Sequence, residues 1–156
     1  MTEKRLLYVN LGSVITFVLF LFLSFVTAET ESTHRVMIII CEITGGITFI
    51  FAIISLFYIR SDHRYMSVAI LAFLSPWLIY ALGYEMKLSS DTSYIWTWFI
   101  SLYLLITAGI VLLRYCYRKV ENGLKLAPVF LLFFHAIFIV YLIFIHIWWS
   151  LPFIGS

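Results

Sequence analysis

Residues 94–149 read YIWTWFISLYLLITAGIVLLRYCYRKVENGLKLAPVFLLFFHAIFIVYLIFIHIWW. Two long apolar runs, 94–115 and 127–149, flank a short gap whose cations are Arg114 at its edge, then Arg118, Lys119 and Lys125. Each run is near the roughly 20 residues that cross the hydrocarbon core of a bilayer. Neither alternates polar and apolar residues, as the strands of a membrane barrel would. Backbone polar groups in lipid must then bond within their own segment, so both runs read as helices.

The same pattern extends to the whole chain. Hydrophobic residues make up 63% and charged residues 12%, and the mean hydropathy is +1.05. A soluble domain is about 45–50% apolar and about 25% charged. A chain of 156 residues cannot hide that much apolar surface in one water-soluble core, so lipid must solvate much of it. Three further runs, 6–28, 36–59 and 65–84, bring the expected number of spans to five. The expected fold is an all-α integral membrane protein, one transmembrane domain over residues 1–156 built as a five-helix bundle. The gaps are short, so consecutive helices should pack as antiparallel neighbours.

Charge gives the orientation. Of the ten Lys and Arg residues, eight fall in three places: Lys4 and Arg5, then Arg60 and Arg64, then Arg114, Arg118, Lys119 and Lys125. The alternate gaps hold Glu29, Glu31 and Arg35, then Glu85, Lys87 and Asp91. Positive charge is retained on the cytoplasmic side. The N-terminus is therefore expected inside and the C-terminus outside. Aromatics agree, with Tyr8, Tyr58, Tyr65, Tyr115 and Tyr117 at the inner boundary. Tyr84, Tyr94, Trp96, Trp98, Trp148 and Trp149 mark the outer one, the level amphipathic rings prefer. A cell (plasma) membrane suits this pattern. The first run starts basic and ends Val26-Thr27-Ala28 like a signal peptide. Its apolar stretch exceeds the about 7–15 residues of a signal core, so it is expected to stay as a span.

Small residues should mark close helix packing: Gly12 and Ser13, Gly45 and Gly46, Ala108 and Gly109. Pro76, after Ser75, should kink the third helix.

Polar residues inside the runs are few, which makes each informative. Glu42 is expected roughly 9 Å below the outer boundary. A carboxylate there must be paired, protonated or in contact with water. Arg35, seven positions earlier on the same face, is the expected partner, and His146 should lie at similar depth. With Tyr80 and Tyr84 these residues form a candidate outward-side ligand pocket, in which Glu42 or a histidine would take up a proton. The alternative is a paired acid that locks helix two to its neighbours.

Four histidines offer a weaker pattern. His135 and His146 share one face of the fifth helix, roughly 16 Å apart. Pairing His34 with His146 and His63 with His135 would give the axial ligands of a two-haem protein. No tight metal-ligand spacing supports a metal site. No cofactor is expected, haem being the lesser alternative. Cys41 and Cys116 should lie on opposite sides and cannot bond to each other. Cys116 is either an ordinary juxtamembrane thiol or a palmitoylation site. The basic gap reads as a topology signal, or as a contact for a partner or lipid headgroups through Arg114, Arg118, Lys119 and Lys125. Nucleic acid is not indicated. There is no phosphate-binding loop and no Gly-x-Ser-x-Gly motif.

Five spans, this length and the aromatic content resemble the tryptophan-rich sensory/translocator protein family. The Trp/Pro-rich first loop of that family is replaced here by Glu29-Thr30-Glu31-Ser32-Thr33-His34, so the likeness is one of size and span count and assigns no residue a role. The expectation is then a small non-catalytic polytopic protein acting by contact, as an accessory or assembly subunit, an immunity-type protector or a sensor. Its partners would be the lipid bilayer and another membrane protein or a second copy. The alternative is a small-ligand-binding or proton-coupled transport protein using the pocket around Glu42.

Overall fold

The computed structural model describes residues 3–120 and 122–150. It contains five long α-helices: α1 Glu3–Val26, α2 Glu31–Tyr58, α3 Arg64–Glu85, α4 Ile95–Lys119 and α5 Leu126–Ser150. A single 3-10 turn, Asn122–Leu124, joins α4 to α5, and no strand occurs among the described residues. All five helices are long and apolar enough to cross a membrane. The expected runs and the helices agree to within five residues at each end, the largest difference being the start of α2 at Glu31, because the length of an uncharged run limits the helix it can form.

The helices run up and down, and contacts at each end show it. At one end the Ser24 carbonyl near the close of α1 accepts from His34 in the first turn of α2 at 2.8 Å. There Arg35 of α2 also meets Glu85, the last residue of α3. This end carries Glu29, Glu31, Glu85 and Asp91 and is called the acidic end here. At the other, basic end, Glu3 accepts from the Ser61 hydroxyl at 2.7 Å and the Arg60 backbone N–H at 3.1 Å. Tyr65 at the start of α3 also meets Tyr115 near the end of α4, ring to ring.

α3 is the hub. Over half of its apolar core is buried, against a third or less in each other helix. It packs on α1, α2, α4 and α5, whereas α1 and α5 nowhere bring their Cα atoms within 8 Å of each other. Several hydroxyls in the long helices are satisfied locally. Those of Ser13, Thr16, Thr44, Thr48, Ser55, Ser101 and Thr107 each donate to the carbonyl four residues earlier, a cheap solution in apolar surroundings.

Three glycines set the helix spacing. A Cβ on Gly45 would lie 2.7 Å from the Trp77 ring and 3.0 Å from Phe17, so α1, α2 and α3 close there. A Cβ on Gly83 would lie 2.5 Å from the indole of Trp98, whose Nε1 donates to the Ile79 carbonyl at 3.2 Å. A Cβ on Gly109 would meet His135 Nε2 at 2.7 Å and the Ala72 carbonyl at 3.0 Å. The last is tied to Pro76. Lacking an N–H, Pro76 frees the carbonyl four residues back, that of Ala72. The Ser75 hydroxyl reaches that carbonyl at 3.4 Å, and α4 approaches it through Gly109. Gly45 and Gly109 thus pack as the sequence suggests. Gly12 and Gly46 face open space and Ala108 is exposed, so these take no part in helix contacts. Ser13 turns its hydroxyl back onto its own helix.

Candidate functional site

A cavity of about 490 Å³ lies toward the acidic half of the bundle, walled by α1, α2, α3 and α5. Its position follows from the packing. α3 forms the floor, α2 one flank, and the unclosed seam between α1 and α5 the other. Phe25 and Tyr141 lean across that seam with ring centroids 5.9 Å apart. The rim residues Phe22, Phe25 and Ile137 are exposed on the apolar outer surface of the bundle.

The walls are almost wholly apolar and strongly aromatic, with Phe73, Trp77 and Tyr80 from α3 and Phe134, Phe138 and Tyr141 from α5. Into this space come a few polar groups: Glu42, His34, His135, Ser24 and the hydroxyls of Tyr80 and Tyr141. The two tyrosine hydroxyls share a hydrogen bond of 2.7 Å. His34 Nδ1 is engaged by the Ser24 carbonyl. Glu42 Oε1 is buried with no partner, and so are both ring nitrogens of His135, a side chain only 1% exposed. An unmet buried polar group costs about 1–3 kcal/mol; of these two, Glu42 borders the cavity, whereas the His135 imidazole turns its Nε2 toward Gly109 of α4.

The cavity borders a second, more polar space of about 740 Å³ at the acidic end. Arg35, Glu85 and Lys87 line this vestibule, with Trp98 and Trp149 behind them. Tyr80, Tyr84 and Tyr141 belong to both spaces and form the partition. Arg35 forks onto Glu85, Nη1 to Oε1 at 2.6 Å and Nη2 to Oε2 at 3.0 Å. Its guanidinium also stands 5.9 Å from the centre of the Tyr84 ring. Glu42 lies within electrostatic reach of both members of this pair.

The expected pocket residues are therefore only partly brought together. Glu42, Tyr80 and Tyr84 do line one cavity. Arg35 does not bond Glu42; its partner is Glu85, because α3 ends beside the first turn of α2 and presents a carboxylate at fork distance. His146 is elsewhere, in the α4–α5 seam. It shares a 3.0 Å hydrogen bond with Tyr103 and lies stacked on Phe99 and edge-on to Trp96. His34 and His146 thus stand in different seams, and His63 caps α3 at the basic end. Among the described residues no three His, Cys, Asp or Glu side chains converge as a metal would require.

Residues that carry the site but were not read from the sequence are Glu85, Tyr141 and the aromatic walls. His135 reads from the sequence as a weak haem or metal candidate. Glu85 reads as a loop residue of the acidic gap. Tyr141 is one ring among many in α5. The available signal was the spacing of His135, Phe138 and Tyr141, three residues apart and so along one helix face.

At the basic end Arg114, Arg118 and Lys119 are exposed on the last turns of α4 and Lys125 is half-buried. Lys119 stands 6.0 Å from the Tyr115 ring, Lys125 6.0 Å from Tyr117, and Arg64 5.3 Å from Tyr65. Cys116 is fully buried in the core, so its thiol is not open to acylation. A separate polar link lies at this end. Asn10 on α1 donates to the hydroxyl of Ser55 on α2, while Asn10 Oδ1 and Ser67 Oγ are buried without partners.

No protein-family model, curated protein or solved structure matches the chain.

Proposed function

We propose that this protein sits in a membrane with its acidic end outward and binds one small, largely apolar molecule in the cavity between α1, α2, α3 and α5. The observation that carries this reading is the pairing of an apolar cavity of about 490 Å³ with one acid, Glu42, that lines it and forms no salt bridge among the described residues. Ligand sites run from about 300 to 1,000 Å³, mostly apolar with a few convergent polar groups. A helix bundle meant only to pack would close such a space with larger side chains, since an empty cavity costs stability. Occupancy would offset the void. The seam between α1 and α5 offers entry from the lipid side, and the vestibule beyond the tyrosines offers an aqueous side. Cell-membrane location, and a role for Arg114, Arg118, Lys119 and Lys125 at anionic headgroups, fit the same orientation.

Native mass spectrometry on protein extracted gently from its own membrane tests the reading. The expected result is a bare chain carrying a reproducible small mass, lost in Ala81→Trp, which fills the cavity from its α3 wall. A chain bound instead to a second polypeptide at fixed stoichiometry, with no small mass, would overturn ligand binding and favour an accessory subunit acting by contact.

A further inference from the structure

We propose that the occupant is a lipophilic organic cation, seated with its charge at Glu42 and its apolar body against the aromatic walls. The proposal rests on the cavity being a ligand site and names the chemistry that site selects.

Charge is the first argument. Two carboxylates, Glu42 and Glu85, lie near one guanidinium, that of Arg35. Arg35 spends both terminal nitrogens on Glu85. Lys87 acts on Glu85 from the exposed side and lines the vestibule, not the cavity. Glu42 is thus the acid that faces the cavity with no salt bridge of its own among the described residues, its carboxyl beside that of Glu85. Neither His34 nor His135 is paired with a carboxylate; His34 spends Nδ1 on the Ser24 carbonyl.

The walls are the second argument. Aromatic faces attract cations, most strongly where water is excluded. Trp77, Tyr80, Phe73 and Phe138 supply such faces in the cavity that Glu42 lines. The site already shows the contact in kind, with the Arg35 guanidinium against the Tyr84 ring. An anionic amphiphile would meet an unneutralised carboxyl. A neutral hydrocarbon would leave the Glu42 carboxyl unmet. A cation with a bulky apolar body satisfies the acid, the rings and the volume together, and the uncommitted acid offsets the cost of carrying charge into this depth.

The test uses the full chain in nanodiscs of phosphatidylcholine, which carry no net charge. Radiolabelled tetraphenylphosphonium serves as the cation and triphenylphosphine oxide as its neutral counterpart. Saturable tetraphenylphosphonium binding is expected, weakened about tenfold or more by Glu42→Gln, a step of ~1.4 kcal/mol. Binding should be largely kept in Glu42→Asp. Neutral-probe binding, unchanged in Glu42→Gln, reports that the cavity is intact. Equal cation binding by wild type and Glu42→Gln would overturn the proposal, as would tighter binding of the neutral probe. If both probes bind, both are lost in Ala81→Trp and charge makes no difference, the cavity reading stands and the cation falls. If neither probe binds the wild type saturably, both fall.

Discussion

At Gly109 the absence of one methyl group lets α3, α4 and α5 meet, with the carbonyl freed by Pro76 and the ring of His135 sharing the notch. Gly109→Ala should therefore lower stability by about 1–3 kcal/mol, the usual cost of overpacking. Gly46→Ala, whose Cβ enters open space, should be neutral or stabilise by up to about 1 kcal/mol, as a helix interior gains from replacing glycine. Unfolding of the two variants in one detergent checks the contrast; equal effects would refute it. Residues of this kind were only half legible. Gly109 and Gly45 stand out within apolar runs, but so do Gly12 and Gly46, and nothing local separates a packed glycine from one facing lipid. Gly83 escaped notice because a glycine two residues before a helix end reads as an ordinary terminator. Arg35 was matched to Glu42 by i to i+7 spacing, whereas its partner Glu85 lies fifty residues on. Sequence proximity picks partners on one helix; an antiparallel neighbour can bring a better one.

At the level of elements, the ends of α3 illustrate what hydropathy leaves unread. The span was expected over 65–84 and runs Arg64–Glu85. Its close depends on Lys87, which takes a left-handed φ of 53°. There Lys87 N–H bonds the Tyr84 carbonyl at 3.0 Å and Leu88 N–H the Gly83 carbonyl at 3.1 Å. This is the double-bonded helix terminus that glycine normally supplies. A side chain in that region is disfavoured. Lys87→Gly should then stabilise the protein by up to about 1 kcal/mol, read as a higher midpoint of thermal unfolding. No change, or a drop, would show that the lysine side chain matters more than its backbone. The five long helices were legible because an uncharged run of membrane length admits one secondary structure. The cavity was not, because it depends on α5 packing against α3 and α4 while its backbone stays clear of α1, a matter of side-chain fit between segments more than a hundred residues apart.

For the whole molecule, the charge pattern and the fold are mutually consistent: eight of the ten cations gather at one end of an up-down bundle and half of the eight acids at the other. The orientation this implies is open to direct measurement. Cys41 and Cys116 are buried, which leaves a quiet background for thiol labelling. Ser90→Cys, on an exposed turn of the acidic end, should react with an impermeant maleimide added to whole cells. Asp62→Cys, exposed at the basic end, should react only after the membrane is permeabilised. The opposite pattern would invert the protein and put the cavity in the inner half. The seam between α1 and α5 has a consequence for biogenesis. The cavity is walled on one side by a helix translated early and on the other by one translated after the remaining four. A nascent chain in which α5 is still on the ribosome has no cavity to fill. Any molecule held there is therefore acquired after synthesis of that helix, and its presence distinguishes a finished bundle from an assembly intermediate.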